Sequence, residues 1–334
     1  MRHGSEILCA ALLCALAPVA ASAAEEDASA GSSFFTGVEV DNQDSRRFDL
    51  GLVLQSSGGT GFELVGSRSE TDADTLDVSS TYAFGQLTHD FGRFGLGAGV
   101  RHMRDEDLSK TLGYQGSAFL DLTAARFTAA VESRSTDFDD APFTASGSDL
   151  GLTGVTSASG IAACSVDSLN YGLGFSIARP SYSFYASGTV FDYSSYDCNT
   201  MLTSTTSGTT TSPVGPGRAP IQVTRPPIVT QLASNVLTGF RGYSSTRAPR
   251  EGTLLESSMM VGASFALGAR STLGFELYQD SEQFAQSDAS TALAYLAFRL
   301  TPSVGVDFTA GLTESDLLEN TAFAGVRLSA SLGN

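Results

Sequence analysis

The feature that most restricts the fold is a strict alternation of apolar with polar or small residues, repeated along the chain. Val304, Val306, Phe308, Ala310 and Leu312 alternate with Gly305, Asp307, Thr309 and Gly311. The same rhythm runs through Leu169, Tyr171, Leu173, Phe175 and Ile177, through Leu273, Phe275 and Leu277, and through Phe94, Leu96, Ala98 and Val100. Successive side chains of a β-strand point to opposite faces, so this pattern describes strands with one face in an apolar medium and one in a polar medium.

Tight turns separate the strands: Ser57-Gly58-Gly59, Asp90-Phe91-Gly92, Thr123-Ala124-Ala125, Arg179-Pro180-Ser181, Gly268-Ala269-Arg270 and Thr301-Pro302-Ser303. Their centres, near 58, 91, 124, 180, 269 and 302, are spaced by 33, 33, 56, 89 and 33. One step of 33 before the first centre reaches residue 25, and one after the last reaches 335, just past Asn334. The chain therefore reads as seven units, each long enough for two strands of about twelve residues, a short turn and a modest loop. Seven hairpins predict an all-β fold, a transmembrane antiparallel up-and-down barrel of about 14 strands. Sixteen strands follow if Asp149 to Val155 adds a hairpin, and twelve if the first hairpin is irregular. A soluble β-sandwich does not account for seven repeats at near-constant pitch with one apolar face.

The ends bound the barrel. Ile7 to Ala20 is almost wholly apolar and is followed by Ala21-Ser22-Ala23, the pattern of a secretory signal peptide over residues 1–23, cut before Ala24. Residues 24–33 form a short periplasmic segment, too short for a plug domain, and the barrel occupies 34–334. No run of about eighteen apolar residues follows, which excludes a helical membrane protein. A mean hydropathy of +0.03 suits strands that show half their side chains to lipid. Two units exceed the pitch, and the excess predicts long extracellular loops at about 138–166 and 194–251. They contain Cys164 and Cys198, an expected disulfide in an exported chain. The longer loop is rich in Thr, Ser, Pro and Gly and carries Arg218, Arg225, Arg241, Arg247 and Arg250. It suits a disordered linker or a loop folded over the barrel mouth.

If the apolar set faces lipid, the other set faces a lumen. The inward set includes Asp49, Glu63, Asp77, Asp121, Glu132, Glu256, Glu276 and Asp307 with Arg101, Arg134, Arg299 and Arg327. Charge in lipid costs a few kcal/mol per residue at the midplane, so the inward placement is also the more stable one. These residues are candidates for solute selection or for ion pairs that only stabilise the wall. Many other lumen positions are Gly, Ser, Thr or Ala, which predicts unfilled space.

With these features the chain resembles the Gram-negative outer-membrane barrels of porin-like architecture, over essentially its whole mature length. In the last strand, Gly325 and Leu328 match the spacing of the signal read by the barrel assembly machinery, while Leu332 stands in place of a closing aromatic residue. With no Trp in the chain, Phe91, Phe94, Phe127, Tyr182, Phe298, Tyr193 and Tyr278 are left to form the aromatic girdles. The resemblance implies an outer-membrane location with both termini periplasmic. The expected partners are outer-membrane lipid and lipopolysaccharide, the assembly machinery during insertion, and small solutes. The leading expectation is a passive channel for small polar solutes with mild cation preference. The alternative is a non-conducting surface barrel whose disulfide-linked loops bind a partner or adhere. A formal charge of −17 argues against nucleic acid. No cofactor and no metal is expected, since His89 and His102 are the only histidines of the mature chain. Asp105, Glu106 and Asp107 read as a solvated acidic loop rather than a Ca²⁺ site. No catalytic motif stands out, and a barrel-embedded hydrolase using His102 is the third reading.

Overall fold

The structure, a computed structural model, describes residues 32–42, 44–73, 76–105, 109–122, 125–146, 155–179, 181–207, 221–222, 255–282, 287–315 and 320–332. Residues 1–31, which include the expected signal peptide, and residues 208–220 and 223–254 lie outside that set. The described residues form β1 (Ser32–Asp41), β2 (Arg46–Gln55), β3 (Thr60–Ala73), β4 (Leu76–Asp90), β5 (Phe94–Asp105), β6 (Ser109–Leu122), β7 (Ala125–Ser146), β8 (Val155–Ala178) and β9 (Tyr182–Ser207). After residue 254 come β10 (Leu255–Ala266), β11 (Ser271–Glu282), β12 (Ser287–Thr301), β13 (Val304–Ser315) and β14 (Thr321–Leu332). A two-residue strand, Ile221–Gln222, pairs with Thr200 and Asn199 on the extension of β9 and is not part of the barrel wall.

Each strand runs antiparallel to the next, and β14 pairs with β1 from Ser32↔Leu332 to Asp41↔Phe323. The result is a closed barrel of 14 strands. Closure satisfies every strand edge, which a sheet in lipid requires because no water is there to pair its backbone. The seam is extended beyond the last strand pair, where the Asn42 and Ala322 backbones pair and Asn42 Oδ1 accepts from the Ala322 amide at 3.0 Å. The first hairpin is regular, with β1 and β2 paired from Ser33↔Val53 to Val40↔Arg46, so a twelve-stranded count fails. The barrel closes at 14 strands, so a sixteen-stranded count fails too, and 149–154, the expected place of the extra hairpin, lie outside the described residues. β9 lies beside β10, from Tyr182↔Phe265 to Val190↔Ser257, despite the long stretch of chain between them.

The end of the barrel holding Ser32 and Leu332 also holds the tight turns. Gly59 and Gly92 there adopt φ of +79° and +103°, a region where a Cβ is strained. The Asp90 carboxylate accepts from the Gly92 amide at 2.6 Å and fixes the second of these turns. We call this the turn end, and the opposite one the loop end.

Within the long loops expected at 138–166 and 194–251, residues 138–146, 155–166 and 194–207 are strand, while 147–154, 208–220 and 223–251 lie outside the described residues. β7, β8 and β9 are 22, 24 and 26 residues long, against 10 to 15 for the other wall strands. Pairing of β7 with β8 continues past a bulge at Phe138/Ala141 to Ser146↔Ser157, and β8 pairs with β9 up to Val155↔Ser207. Ser- and Thr-rich strand sequence with no lipid-facing run resembles loop sequence, yet it pairs well once a ladder already leads into it.

Side chains alternate as the pattern requires. Leu50, Leu87, Leu120, Leu173, Val190 and Leu312 point outward and are exposed, part of a continuous apolar surface around the barrel. A soluble protein does not leave a band of this size uncovered.

Candidate functional site

The interior wall is where polar chemistry is concentrated. Fourteen strands about 4.8 Å apart and tilted about 40° enclose a tube of backbone radius roughly 14 Å. The small residues do not leave that wall bare. Five inward glycines each stand directly opposite an inward aromatic residue on the next strand: Gly51↔Phe35, Gly95↔Phe119, Gly262↔Tyr185, Gly274↔Tyr295 and Gly311↔Phe323. In every case the ring lies over the glycine, so that a Cβ added there would fall within 2.1–2.3 Å of ring carbon. Glycine supplies the flat bed and the aromatic ring covers the backbone, a cross-strand exchange that stabilises both. The expectation of unfilled space at these positions is therefore corrected. At Gly97 the same device joins strands two apart, because Gln86 Nε2 donates to Ser117 Oγ at 3.0 Å across it.

Three of these rings, Phe35, Tyr295 and Phe323, belong to two apolar patches. Phe35, Val65, Tyr82, Met103 and Phe84 line β1 to β5, and Tyr278, Leu293, Phe323, Met260 and Tyr295 line β10 to β14. Charged clusters sit around them. On β5 to β8, Glu132 Oε2 accepts from Arg134 at 3.1 Å, Arg101 at 3.4 Å and Asn170 at 3.2 Å. Arg134 also lies over the Phe191 ring and Arg101 over Phe84, at 5.2 and 5.8 Å. Gly113 makes room for this carboxylate, since a Cβ there would meet Glu132 Oε1. Across the seam, Arg327 donates to Asp307 at 3.3 Å and stacks over Phe35 at 5.4 Å, while Arg47 donates to Asp49 at 2.7 Å. Glu39, opposite Arg47 in register and buried, completes that cluster. On β9 and β11, Glu276 accepts from the Tyr185 and Tyr278 hydroxyls.

Access to this wall differs between the two ends. Inward residues of the loop half are almost wholly covered: Thr111 and Asn170 are 1 % exposed, Glu276 and Thr291 2 %. Toward the turn end the inward residues open to solvent, and Arg126, Thr128, Ser187 and Arg299 are exposed. The interior thus opens as a vestibule at the turn end, where inward side chains reach solvent, and is lined by covered side chains toward the loop end.

The sequence-derived candidates fall as follows. Asp49, Arg101, Glu132, Arg134, Glu276, Asp307 and Arg327 lie in the three clusters just described. Glu63 faces inward and is half-buried near the turn end. Asp121 is held there by a bidentate Arg126 at 2.6 and 2.7 Å, and that guanidinium stacks on Phe119 at 4.4 Å. Arg299 is inward and exposed at the same rim. Asp77 lies on β4 opposite Asp72, and its side chain is outside the described set. Glu256 is exposed at a bulge between Leu255 and Ser257, where Leu255 turns inward in its place. Cys164 and Cys198 lie directly opposite each other on β8 and β9 rather than in separate loops. Asp105, expected in a solvated loop, is buried and accepts from Ser109 Oγ at 2.8 Å. His102 is on β5 with an outward side chain, and among the described residues no hydrogen bond ties it to a serine. Sequence reasoning passed over Glu39, Arg47, Asn170 and the inward rings. Their alternation was legible, but their partners depend on register across strands.

No protein-family model and no curated protein sequence matches the chain. Solved structures do. The CymD monoaromatic hydrocarbon channel superposes with a TM-score of 0.53 at 9% identity, over 91% of this chain and 89% of that one. A Pseudomonas aeruginosa FadL homologue gives 0.48 at 12% identity, over 90% and 89%, and the KdgM porin 0.40 at 7%, over 90% and 99%. At such identities the likeness is one of fold, and the fold is that of an outer-membrane β-barrel.

Proposed function

We propose that this chain is an outer-membrane channel for small polar solutes with a mild preference for cations. The observation that carries the reading is the polar, water-accessible vestibule inside a closed barrel, leading to a wall where carboxylates outnumber guanidinium groups. Among the residues of the three clusters, Glu39, Asp49, Glu132, Glu276 and Asp307 face Arg47, Arg101, Arg134 and Arg327. The close cover over the inward residues of the loop half favours small solutes and low conductance over a wide general pore. The similarity of fold to known channels supports the reading, as does the apolar band on the outer surface. In this reading a cleaved signal peptide exports the chain, the assembly machinery inserts it, and lipopolysaccharide meets it at the loop end. The termini and tight turns are periplasmic, and Cys164 and Cys198 form a disulfide in an oxidising compartment. Their register suits one, since directly opposite residues on antiparallel strands have Cα atoms about 4.5–5.5 Å apart, within the span of a disulfide.

Planar-bilayer recording of the purified, folded barrel tests this. Discrete small channel events with a cation-leaning reversal potential in a KCl gradient are expected. Absence of events above the detergent background removes the channel. A second reading then takes its place: a surface barrel whose loop-end extension of β7, β8 and β9 binds a partner. That extension favours it, because conduction alone does not call for a ladder projecting beyond the other strands.

A further inference from the structure

The vestibule contains a feature that the cation-leaning wall does not explain. At the turn-end rim, between the β10–β11 and β12–β13 turns, lies a cavity of about 340 Å³ lined by Arg270, Arg299, Ser33, Ser271, Ser303 and Ser329 among others. Among the described residues no carboxylate lines it. Among the same residues neither guanidinium has an ion-pair partner, in contrast to Arg126 on the same rim, which Asp121 neutralises. The two arginines are held together, because the Arg299 amide donates to the Arg270 carbonyl at 2.8 Å. Gly305 keeps the floor open, since a Cβ there would approach Ser329 Oγ to 2.8 Å. Arg93 and Arg179 stand exposed in other turns of the same end and extend the positive field.

We infer that this cavity is an anion site that takes a carboxylate or phosphate group at the turn-end mouth of the barrel. Two unpaired guanidinium forks with hydroxyl donors between them match the planar or tetrahedral oxygens of such groups. Within a chain of net charge −17, a cationic cup free of acids directs anions to one place. The inference rests on the proposed channel only for its use, holding the anionic group of a solute at the rim, and not for the binding itself.

The experiment is thermal unfolding of the folded barrel in neutral detergent, with inorganic phosphate or succinate replacing chloride at constant ionic strength. Phosphate is expected to raise the melting temperature of the wild type. The Arg270→Gln/Arg299→Gln variant should lose that rise, while Arg93→Gln/Arg179→Gln keeps it. No rise in the wild type, or an equal rise in the first variant, overturns the inference. If the double variant does not fold, Arg299→Gln alone serves, with an undiminished rise as the overturning result. Nanodiscs separate the possible sources. If the rise persists in both phosphatidylcholine and phosphatidylglycerol discs, the ligand is a soluble anion. If it is present in the former and absent in the latter, a lipid headgroup fills the site. A barrel that conducts nothing yet shows the rise overturns the channel and leaves the anion site standing.

Discussion

Gly51→Ala tests the idea that glycine and aromatic ring form one structural unit in the wall. The added methyl would lie 2.1 and 2.2 Å from Phe35 Cε1 and Cζ, far inside van der Waals contact. Phe35 has little freedom to move aside, being 8 % exposed, packed with Val65, Tyr82 and Met103, and covered by the Arg327 guanidinium. Forcing the ring off the wall is an overpacking error of about 1–3 kcal/mol. Phe35→Ala alone removes a buried ring and costs about 3 kcal/mol. In the double variant the methyl fits the space the ring left, so the two losses should fall short of additivity by about 1–2 kcal/mol. Gly116→Ala is the control. Gly116 faces outward with nothing within 4 Å of a new Cβ, so alanine there should stabilise the barrel by about 0.5 kcal/mol through the unfolded chain. The assay is urea unfolding in detergent, followed by far-ultraviolet circular dichroism and by the gel mobility of the folded barrel. An unaffected Gly51→Ala protein, or additive losses in the double variant, would refute the pairing argument.

Other outcomes follow from the charged clusters and the extension. Glu132→Gln leaves Arg101 and Arg134 facing each other without a carboxylate, and should cost about 3 kcal/mol in the same urea assay. It should also shift the bilayer reversal potential toward anions; an unchanged potential would remove this cluster from the selectivity argument. Reduction, or Cys198→Ser, should destabilise the barrel by about 3–4 kcal/mol if the cysteines are joined, because the disulfide would close the β8–β9 hairpin. Mass mapping under non-reducing conditions that recovers both as free thiols would dismiss the bond.

The barrel was legible because the physics that builds it is local. Lipid on one face imposes the period of two at Val304 to Leu312, and a nearly constant membrane thickness imposes a nearly constant hairpin length. Turn positions such as Gly59 and Gly92 therefore recur at a fixed pitch. The interior was only half legible. Parity identifies Asp307 and Arg327 as inward, but only the register β13–β14 makes them direct partners. Gly274 reads as empty space until Tyr295 is seen opposite it, twenty-one residues on in the chain and adjacent in the sheet. Glu256 was misplaced for a related reason, since one bulge reverses parity and no composition rule announces it. The extension of β7 to β9 escaped because the length rule for spanning strands ends at the membrane surface, beyond which polar pairing continues freely.

That extension permits a sharper test of where the barrel ends. Phe138, Val166 and Cys164 are 0, 1 and 3 % exposed, just inside the bulge at Phe138/Ala141. Among the described residues they form the outermost buried layer of β7 and β8, next to Thr136 and Thr111, whose hydroxyls pair at 3.0 Å. Beyond this layer the described ladder joins β7, β8 and β9 to one another and β9 to Ile221–Gln222, while closure through β14 and β1 lies wholly on the other side of it. Replacing residues 141–162 by a four-residue turn should thus leave a folded barrel with nearly unchanged urea stability. Phe138→Ala in the full-length chain should instead cost about 3–4 kcal/mol, because it opens the buried layer itself. If the shortened chain fails to fold while Phe138→Ala is tolerated, the extension carries the barrel rather than the reverse. The projecting strands would then be a nucleus for assembly, not a surface free to bind a partner.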